Sequence, residues 1–323
     1  MDQYLAVIGE CLVDVVESET SAPKAHVGGS PFNVAVGLAL LEHKVVFAGR
    51  RGNDDYGRMI ARALRAQGII SVLEADEQPT SVATATLDPT GQASYEFSLD
   101  WSLPPADELA TELTQAAGAI GHLHTGSLAA MIEPGASVVK AVLRQVRETS
   151  TISYDPNYRP TLVPNRDLAR QQTEEFVTLA DVVQASTDDL ELLYPERSFS
   201  DTMQAWLELG PALVTVTRGA SGAMALARSG FVEQPAFPID VADTVGAGDS
   251  FMAATLSSLR ERGLLGAAQR DALGNISERD VAEVLHTAAQ AAAITSSRFG
   301  AQPPTAGELA AALADPSAAG HLS

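Results

Sequence analysis

Short apolar runs alternate with amphipathic stretches along most of this chain, and that alternation constrains the fold more than any other feature. "YLAVIGE" (4–10) and "KVVFAG" (44–49) read as buried strands, followed by "GHLHTG" (121–126), "TISYDPN" (151–157), "DVVQAS" (181–186) and "ALVTVT" (212–217). A helical pattern over 31–43 carries Pro31 in its first turn, where proline is well placed. Another over 56–68 puts Ile60, Ala63 and Leu64 on one face and stops at Gly68. Further helical patterns lie near 135–148, 167–180 and 200–209, and the C-terminal third is alanine-rich and helical. Strand–helix alternation of this kind predicts an α/β fold, a doubly wound, mostly parallel sheet flanked by helices. The 323 residues suit one large domain or two small ones, and no fixed-period repeat or linker divides them.

Two segments break the rhythm. "TSVATATLDPTGQASYEF" (80–97) alternates at period two around "DPTG", whose Asp, Pro and Gly suit a type I turn. "CLVDVVESETSAPKAHVGG" (11–29) follows a strand without giving a helix, and its polar middle reads as exposed. Together they suggest a small β-sheet lid off the main body, from about 12–28 and 80–98; the alternative is a pair of ordinary surface hairpins. The last residues, "DPSAAGHLS", read as a loose tail.

Charge narrows the partners. Asp plus Glu number 41 against 21 Lys plus Arg, a formal net charge of -20, which argues against nucleic acid or an anionic membrane as partner. Backbone amides can still hold an anion locally. A lone Cys11, no basic-then-apolar leader and no apolar run of spanning length point to a cytoplasmic protein.

Several motifs fail. The only lysines are Lys24, Lys44 and Lys140, and none follows a glycine, so the Walker A loop is excluded. The G-x-G-x-x-G fingerprint fails at Phe251, which makes a nicotinamide or flavin oxidoreductase improbable. No G-x-S-x-G elbow occurs. His122 and His124 share one strand face, as two metal ligands or as core or pocket-edge histidines, with no third ligand evident nearby.

Two motifs survive. In "DTVGAGDSF" (243–251), Gly246 and Gly248 bare the amides at the start of a helix and Asp249 sits in its first turn. Alone this is an ordinary helix start, since acids favour first turns. As a site it pairs amides for a phosphate with a carboxylate for drawing a proton from a hydroxyl. In "GGSPFNVA" (28–35), two glycines meet a helix with Asn33 in its first turn, which is either a tight turn or a polyol-binding amide.

In combination, "GGSPFNVA" near the start and "DTVGAGD" near the end resemble the paired signatures of the PfkB, ribokinase-like carbohydrate kinases. "GECLVD" (9–14), "GRRGNDDYG" (49–57), the 80–97 hairpin, "YDPNYRP" (154–160), "VTRGASGA" (216–223) and "RFGAQPP" (298–304) follow in the family's order, so the likeness covers nearly the whole chain. "GE-LVD" and "DPNYRP" are similar to the fructokinase and ketosugar-acid kinase branches.

The resemblance implies ATP-dependent phosphorylation of a small sugar, with fructose giving fructose 6-phosphate as first choice. A ketosugar acid (2-keto-3-deoxygluconate), ribose or a nucleoside is the alternative, and a non-catalytic sugar-binding regulator is the rival class. It implies Asp249 as general base, Gly246, Ala247 and Gly248 as the anion hole, and Asp14, Gly28, Gly29, Asn33 and Arg159 on the sugar side. Thr217, Gly219, Gly222 and Ser186 fall on the ATP side, Mg2+ would accompany the nucleotide, and a homodimer is expected. Where the family often has Asn-x-x-Glu, this chain has Ser186 and Asp189, which could act on magnesium through water or simply form a capping box. Asp243 matches the family's monovalent-cation aspartate, which leaves K+ activation open because Val245 can give only its carbonyl. Phe32 stands where a small residue is common.

Overall fold

The computed structural model describes residues 3–18, 21–87 and 93–314. Among these, nine strands form the main sheet: β1 (Tyr4–Ile8), β4 (Val45–Ala48), β5 (Ile70–Ser71), β8 (Ile120–Gly126), β9 (Thr151–Asp155), β10 (Val182–Ser186), β11 (Leu213–Thr217), β12 (Ala223–Ala227) and β13 (Gly230–Gln234). Their order is β13-β12-β11-β10-β9-β8-β1-β4-β5, parallel from β11 to β5, with β12 and β13 antiparallel at one edge.

β1 and β4, in the interior of the sheet, are apolar runs because both of their faces are covered. Along β1, Leu5 and Val7 enter one core while Ala6 and Ile8 enter the other, and Val45 and Phe47 alternate with Val46 and Ala48 in the same way. The first core packs on the helices Ser30–Leu40, Asp55–Ala66, Ala247–Glu261 and Glu278–Ser296. The second packs on Ala106–Ala117, Gly135–Val146, Arg166–Val177 and Phe199–Leu209. The expected doubly wound α/β body is therefore present, and the Asp55–Ala66 helix ends as its sequence indicates, with Ile60 and Leu64 buried and Gly68 at φ +67°.

A second sheet of four strands, β2 (Leu12–Ser18), β3 (Ser21–Gly28), β6 (Val82–Leu87) and β7 (Ala93–Ser98), is ordered β3-β2-β6-β7. It joins the two irregular sequence segments, with β2 and β6 parallel in the register Val13↔Val82. The "DPTG" turn and the C-terminal tail lie outside the described residues. Buried Arg50 ties the root of this sheet to the body, donating to Pro79 O (2.9 Å) and to Asp76 Oδ1 (2.6 Å). A small cluster of Leu12, Ala83 and Leu128 fills the gap between the second sheet and the main body.

Candidate active site

In doubly wound sheets, ligands bind outside the carboxyl ends of the parallel strands. Here those ends present Glu10 after β1, Ser127 after β8, Asp155 on β9, Ser186 on β10 and Thr217 on β11. Two non-glycine residues hold positive φ at this edge, Ser127 at 55° and Asn157 at 36°, and Asn157 Nδ2 donates to Ser127 Oγ at 3.3 Å. Backbone strain of this kind persists where the surroundings over-determine it, commonly around sites.

The two surviving sequence motifs meet at this edge. Gly246 caps the Ala247–Glu261 helix in the left-handed region at φ 76°, and a Cβ there would lie 2.6 Å from Ala301 Cβ, so glycine is required twice over. Ala247 N closes on Thr244 O (3.2 Å) and Ser250 N on Gly246 O (2.9 Å). Among the described residues, the Gly248 and Asp249 amides meet no acceptor and stand at the positive end of a fifteen-residue helix. Of the three residues expected to supply amides, Ala247 thus spends its own on the turn.

Asp249, half-buried, accepts from Ser30 Oγ on Oδ1 (2.7 Å) and from Asn33 Nδ2 on Oδ2 (2.8 Å). Both donors come from the first turn of the Ser30–Leu40 helix, whose entry is fixed by Pro31. Burial raises the Asp249 carboxyl above its ordinary range, while the Ser30 and Asn33 bonds and the positive charge of Arg159 pull it back. Arg159 itself is exposed beyond β9 at the rim.

On the second sheet, Asp14 on β2 is in register with His26 on β3. A Cβ at Gly28 would fall well inside contact with Asp14 Oδ2, so only glycine lets this carboxylate settle there. Asp14 is open to solvent on one side, yet desolvation of its carboxyl raises the pKa, with His26 opposing. Gly29 follows at φ +108°, where a Cβ would meet Glu10 O at 2.5 Å.

Three further carboxylates surround this centre. Glu10 is buried, its Oε2 accepts from Ala129 N (3.1 Å), and burial pushes it up to about 7 against a bond from Ser127, with the Asp249 charge adding to the rise. Asp155 is raised well above its usual range by burial and by the charges of Asp189 and Asp249. Asp189 accepts from Ser186 N (2.9 Å) and Ser186 Oγ (2.6 Å) on Oδ2 and from Tyr158 N (2.7 Å) on Oδ1. Ser186 Oγ accepts in turn from Asp189 N (3.0 Å), so the capping box is formed; with Tyr158 N, three of roughly four acceptor positions on the carboxylate are used.

A family model described as pfkB family carbohydrate kinase matches residues 2–306. The chain belongs to that family. It is 31% identical over 275 residues to a fructokinase of Salmonella typhimurium, covering 82% of this chain and 87% of that one. It is 31% identical over 324 residues to fructokinase-1 of Zea mays, covering 95% and 96%. Among solved structures, a fructokinase with bound ATP from Xylella fastidiosa superposes with a TM-score of 0.83 at 24% identity, over 97% of this chain and 98% of that one.

In this carbohydrate kinase the side facing β11 is loop-built. Thr217 ends the strand, Gly219 (φ +51°) and Gly222 (φ +90°) shape the following turn, and Arg218 N closes on Gly222 O at 2.7 Å. A cleft of about 490 Å³ opens between this turn and the Ser186 cap, lined by Thr187, Arg218 and Ser221 among others. Asp243 receives Val245 N (3.1 Å) and Gly300 N (2.9 Å), which bind the glycine loop to the 298–301 loop and hold its carboxyl below the ordinary range.

His122 and His124 are not ligands of any such centre. Both are fully buried; His122 bonds the Thr151 and Ser153 hydroxyls (2.9 and 2.8 Å) and His124 bonds Ser153 (2.9 Å). Among the described residues no cluster of three or more His, Cys, Asp or Glu is arranged for a metal.

Sequence reasoning missed Ser30, Glu10 and Asp155, which the structure brings to this edge. All three lie within quoted motifs, but nothing in the sequence separates them from ordinary polar neighbours.

Proposed function

We propose that this kinase transfers the γ-phosphoryl group of ATP to the 6-hydroxyl of fructose. The observation that carries the reading is the Asp249 carboxylate clamped by Ser30 and Asn33 beside two acceptor-free helix amides. In the step, the hydroxyl proton passes to Asp249, the sugar oxygen bonds to phosphorus, and the bond from phosphorus to the ADP oxygen breaks. The Gly248 and Asp249 amides, with Gly246 and Ala247 shaping the loop, face the charge on the transferring group.

Asn33 commits one amide N–H to Asp249, which leaves its second N–H and its carbonyl oxygen for a sugar hydroxyl; Asp14, Gly28 and Gly29 would make the rest of the sugar side. Arg159 at the rim offsets negative charge. Thr217, Gly219, Gly222 and Ser186 would fall on the nucleotide side, next in sequence to Arg218, Ser221 and Thr187 of the cleft. The second sheet acts as a lid on a single kinase domain and excludes water as competing acceptor.

Magnesium fits the oxygen-rich donor set: no protein cage is built among the described residues, and Mg2+ is usually held by phosphates, waters and one or two carboxylates. Asp189, with one acceptor position free, would reach it through water, and the ion would neutralise phosphate charge. Asp243 has both oxygens on amides, so a monovalent cation such as K+ would rely on backbone carbonyls nearby. A cytoplasmic homodimer joined through the lid sheet completes the reading.

Fructose is favoured by the identity to named fructokinases over most of the chain. The test is ADP release over ketoses, aldoses, sugar acids and nucleosides, with Asp249→Asn alongside. Fructose should give the highest kcat/KM, and the variant should lose about a hundredfold or more in kcat. Saturable sugar binding without turnover, unchanged in Asp249→Asn, would refute the kinase step.

A further inference from the structure

Gln184 is the middle residue of β10 and has 1 % of its surface exposed. Its Nε2 donates to Asp155 Oδ2 at 2.8 Å and to Gly248 O at 2.9 Å. Its Oε1 is buried and finds no partner among the described residues. Turned over, the amide would present its oxygen to the Gly248 carbonyl with no donor between them, so both N–H groups are committed to these two acceptors. One side chain from a central strand thus grips the first turn of the Ala247–Glu261 helix, sixty-four positions away in sequence.

The grip falls on a particular peptide plane. The Gly248 carbonyl belongs to the same trans peptide as the Asp249 amide, and in a trans peptide the C=O and N–H point in opposite directions. Holding Gly248 O toward the sheet therefore aims Asp249 N–H outward, at the edge where it meets no acceptor. The same plane sets the Cα from which the Asp249 carboxylate reaches Ser30 and Asn33. Because β10 is paired on both sides, to β9 and β11, the anchor is rigid.

We propose that Gln184 is a positioning residue for phosphoryl transfer: it locks the Gly248–Asp249 peptide so that the anion-binding amide and the base are presented together. This rests on the kinase reading of Asp249 but not on fructose as the sugar. Displacements of about 1 Å in such a site can cost on the order of a hundredfold in rate.

The test compares Gln184→Met, which keeps length but has no donor, with Gln184→Lys, which keeps a donor within reach of both acceptors. In the full chain, Met should lower kcat about tenfold or more with KM for sugar and ATP changed less than about threefold, and Lys should recover most of the loss. Amide hydrogen exchange of the 246–252 segment should quicken in Met and return toward wild type in Lys. Should the Met variant fail to fold, Gln184→Leu, close in volume and without a donor, takes its place. Met retaining kcat within threefold, Met and Lys losing it equally, or exchange in 246–252 unchanged would each overturn the proposal. The ratios are read on whichever sugar the wild type turns over best, so failure of fructose leaves them interpretable; with no turnover on any sugar, the exchange comparison decides.

Discussion

Replacing Ser30 with alanine removes one of the two side-chain donors on Asp249 and changes little else. Ser30 is 8 % exposed, opens its helix without capping it, and its hydroxyl lies 2.7 Å from Asp249 Oδ1. A hydrogen bond to a buried charged group contributes about 1.5–3 kcal/mol. At 1.36 kcal/mol per pH unit, losing it raises the Asp249 pKa by about 1–2 units. The base must be ionised to act, so the acid limb of kcat/KM, which reports the free enzyme, moves up by that amount. Above the shifted limb the rate should return to near wild type, because Asn33 still holds Oδ2 at 2.8 Å. Stability follows the same sign: the carboxyl is raised already by burial, so the variant's deficit is small in acid, where Asp249 is neutral, and grows as pH rises and it ionises. Initial rates of ADP release over roughly pH 5 to 9, with urea melts at both ends, supply the measurement. A limb that stays in place while kcat falls by the same factor at every pH would refute the electrostatic account and leave Ser30 a purely steric role.

Glu10→Gln should stabilise the protein at alkaline pH. The folded carboxyl titrates at about 7 against a reference of 4.5, so wild-type stability falls as pH rises through that window, by about 3 kcal/mol at 1.36 kcal/mol per unit. Chemical denaturation should show the variant gaining that amount above the window and nothing below it; an equal effect at both ends would contradict the assignment. Gly28→Ala places a methyl group against Asp14 Oδ2 and should raise the sugar KM about tenfold while the ATP KM holds, as expected for one lost charge-assisted bond. An unchanged sugar KM would remove Asp14 from the sugar wall.

The parallel body was legible because strands buried on both faces read as near-continuous apolar runs, as "YLAVI" and "VVFA" do. The edge hairpin β12–β13 was not read. Its strands are joined by Arg228 and Ser229, which lack the Asn-Gly or Gly-led signal of a tight hairpin, and its first strand merges with the glycine turn before it. The second sheet was legible from period-two alternation, but its pairing of β2 with β6 was not, since a parallel contact between distant segments leaves no local mark.

The site divides along the same line. Both glycine motifs could be read locally, because their glycines answer local needs such as the φ of 76° at Gly246. What could not be read is that they touch: Ser30 and Asn33 lie 219 and 216 positions from the carboxylate they hold. Asn33, expected on the sugar, is committed first to the base. The histidine pair was equally ambiguous until "TIS" on the adjacent strand supplied hydroxyls to both rings.

Burial also changes what the acidic composition means. Glu10, Asp155, Asp189 and Asp249 gather at an edge that must admit an anionic nucleotide, an arrangement that formal charge would forbid. Desolvation and neighbouring carboxylates raise Glu10 and Asp155 above the ordinary carboxylate range, and Asp189 accepts hydrogen bonds from Ser186 and Tyr158. On the proposed reading, the local attraction for the nucleotide's phosphates comes from the helix amides and the rim arginine. A chain of net charge -20 can bind phosphate at such a place because its attraction comes from backbone geometry, which composition does not record.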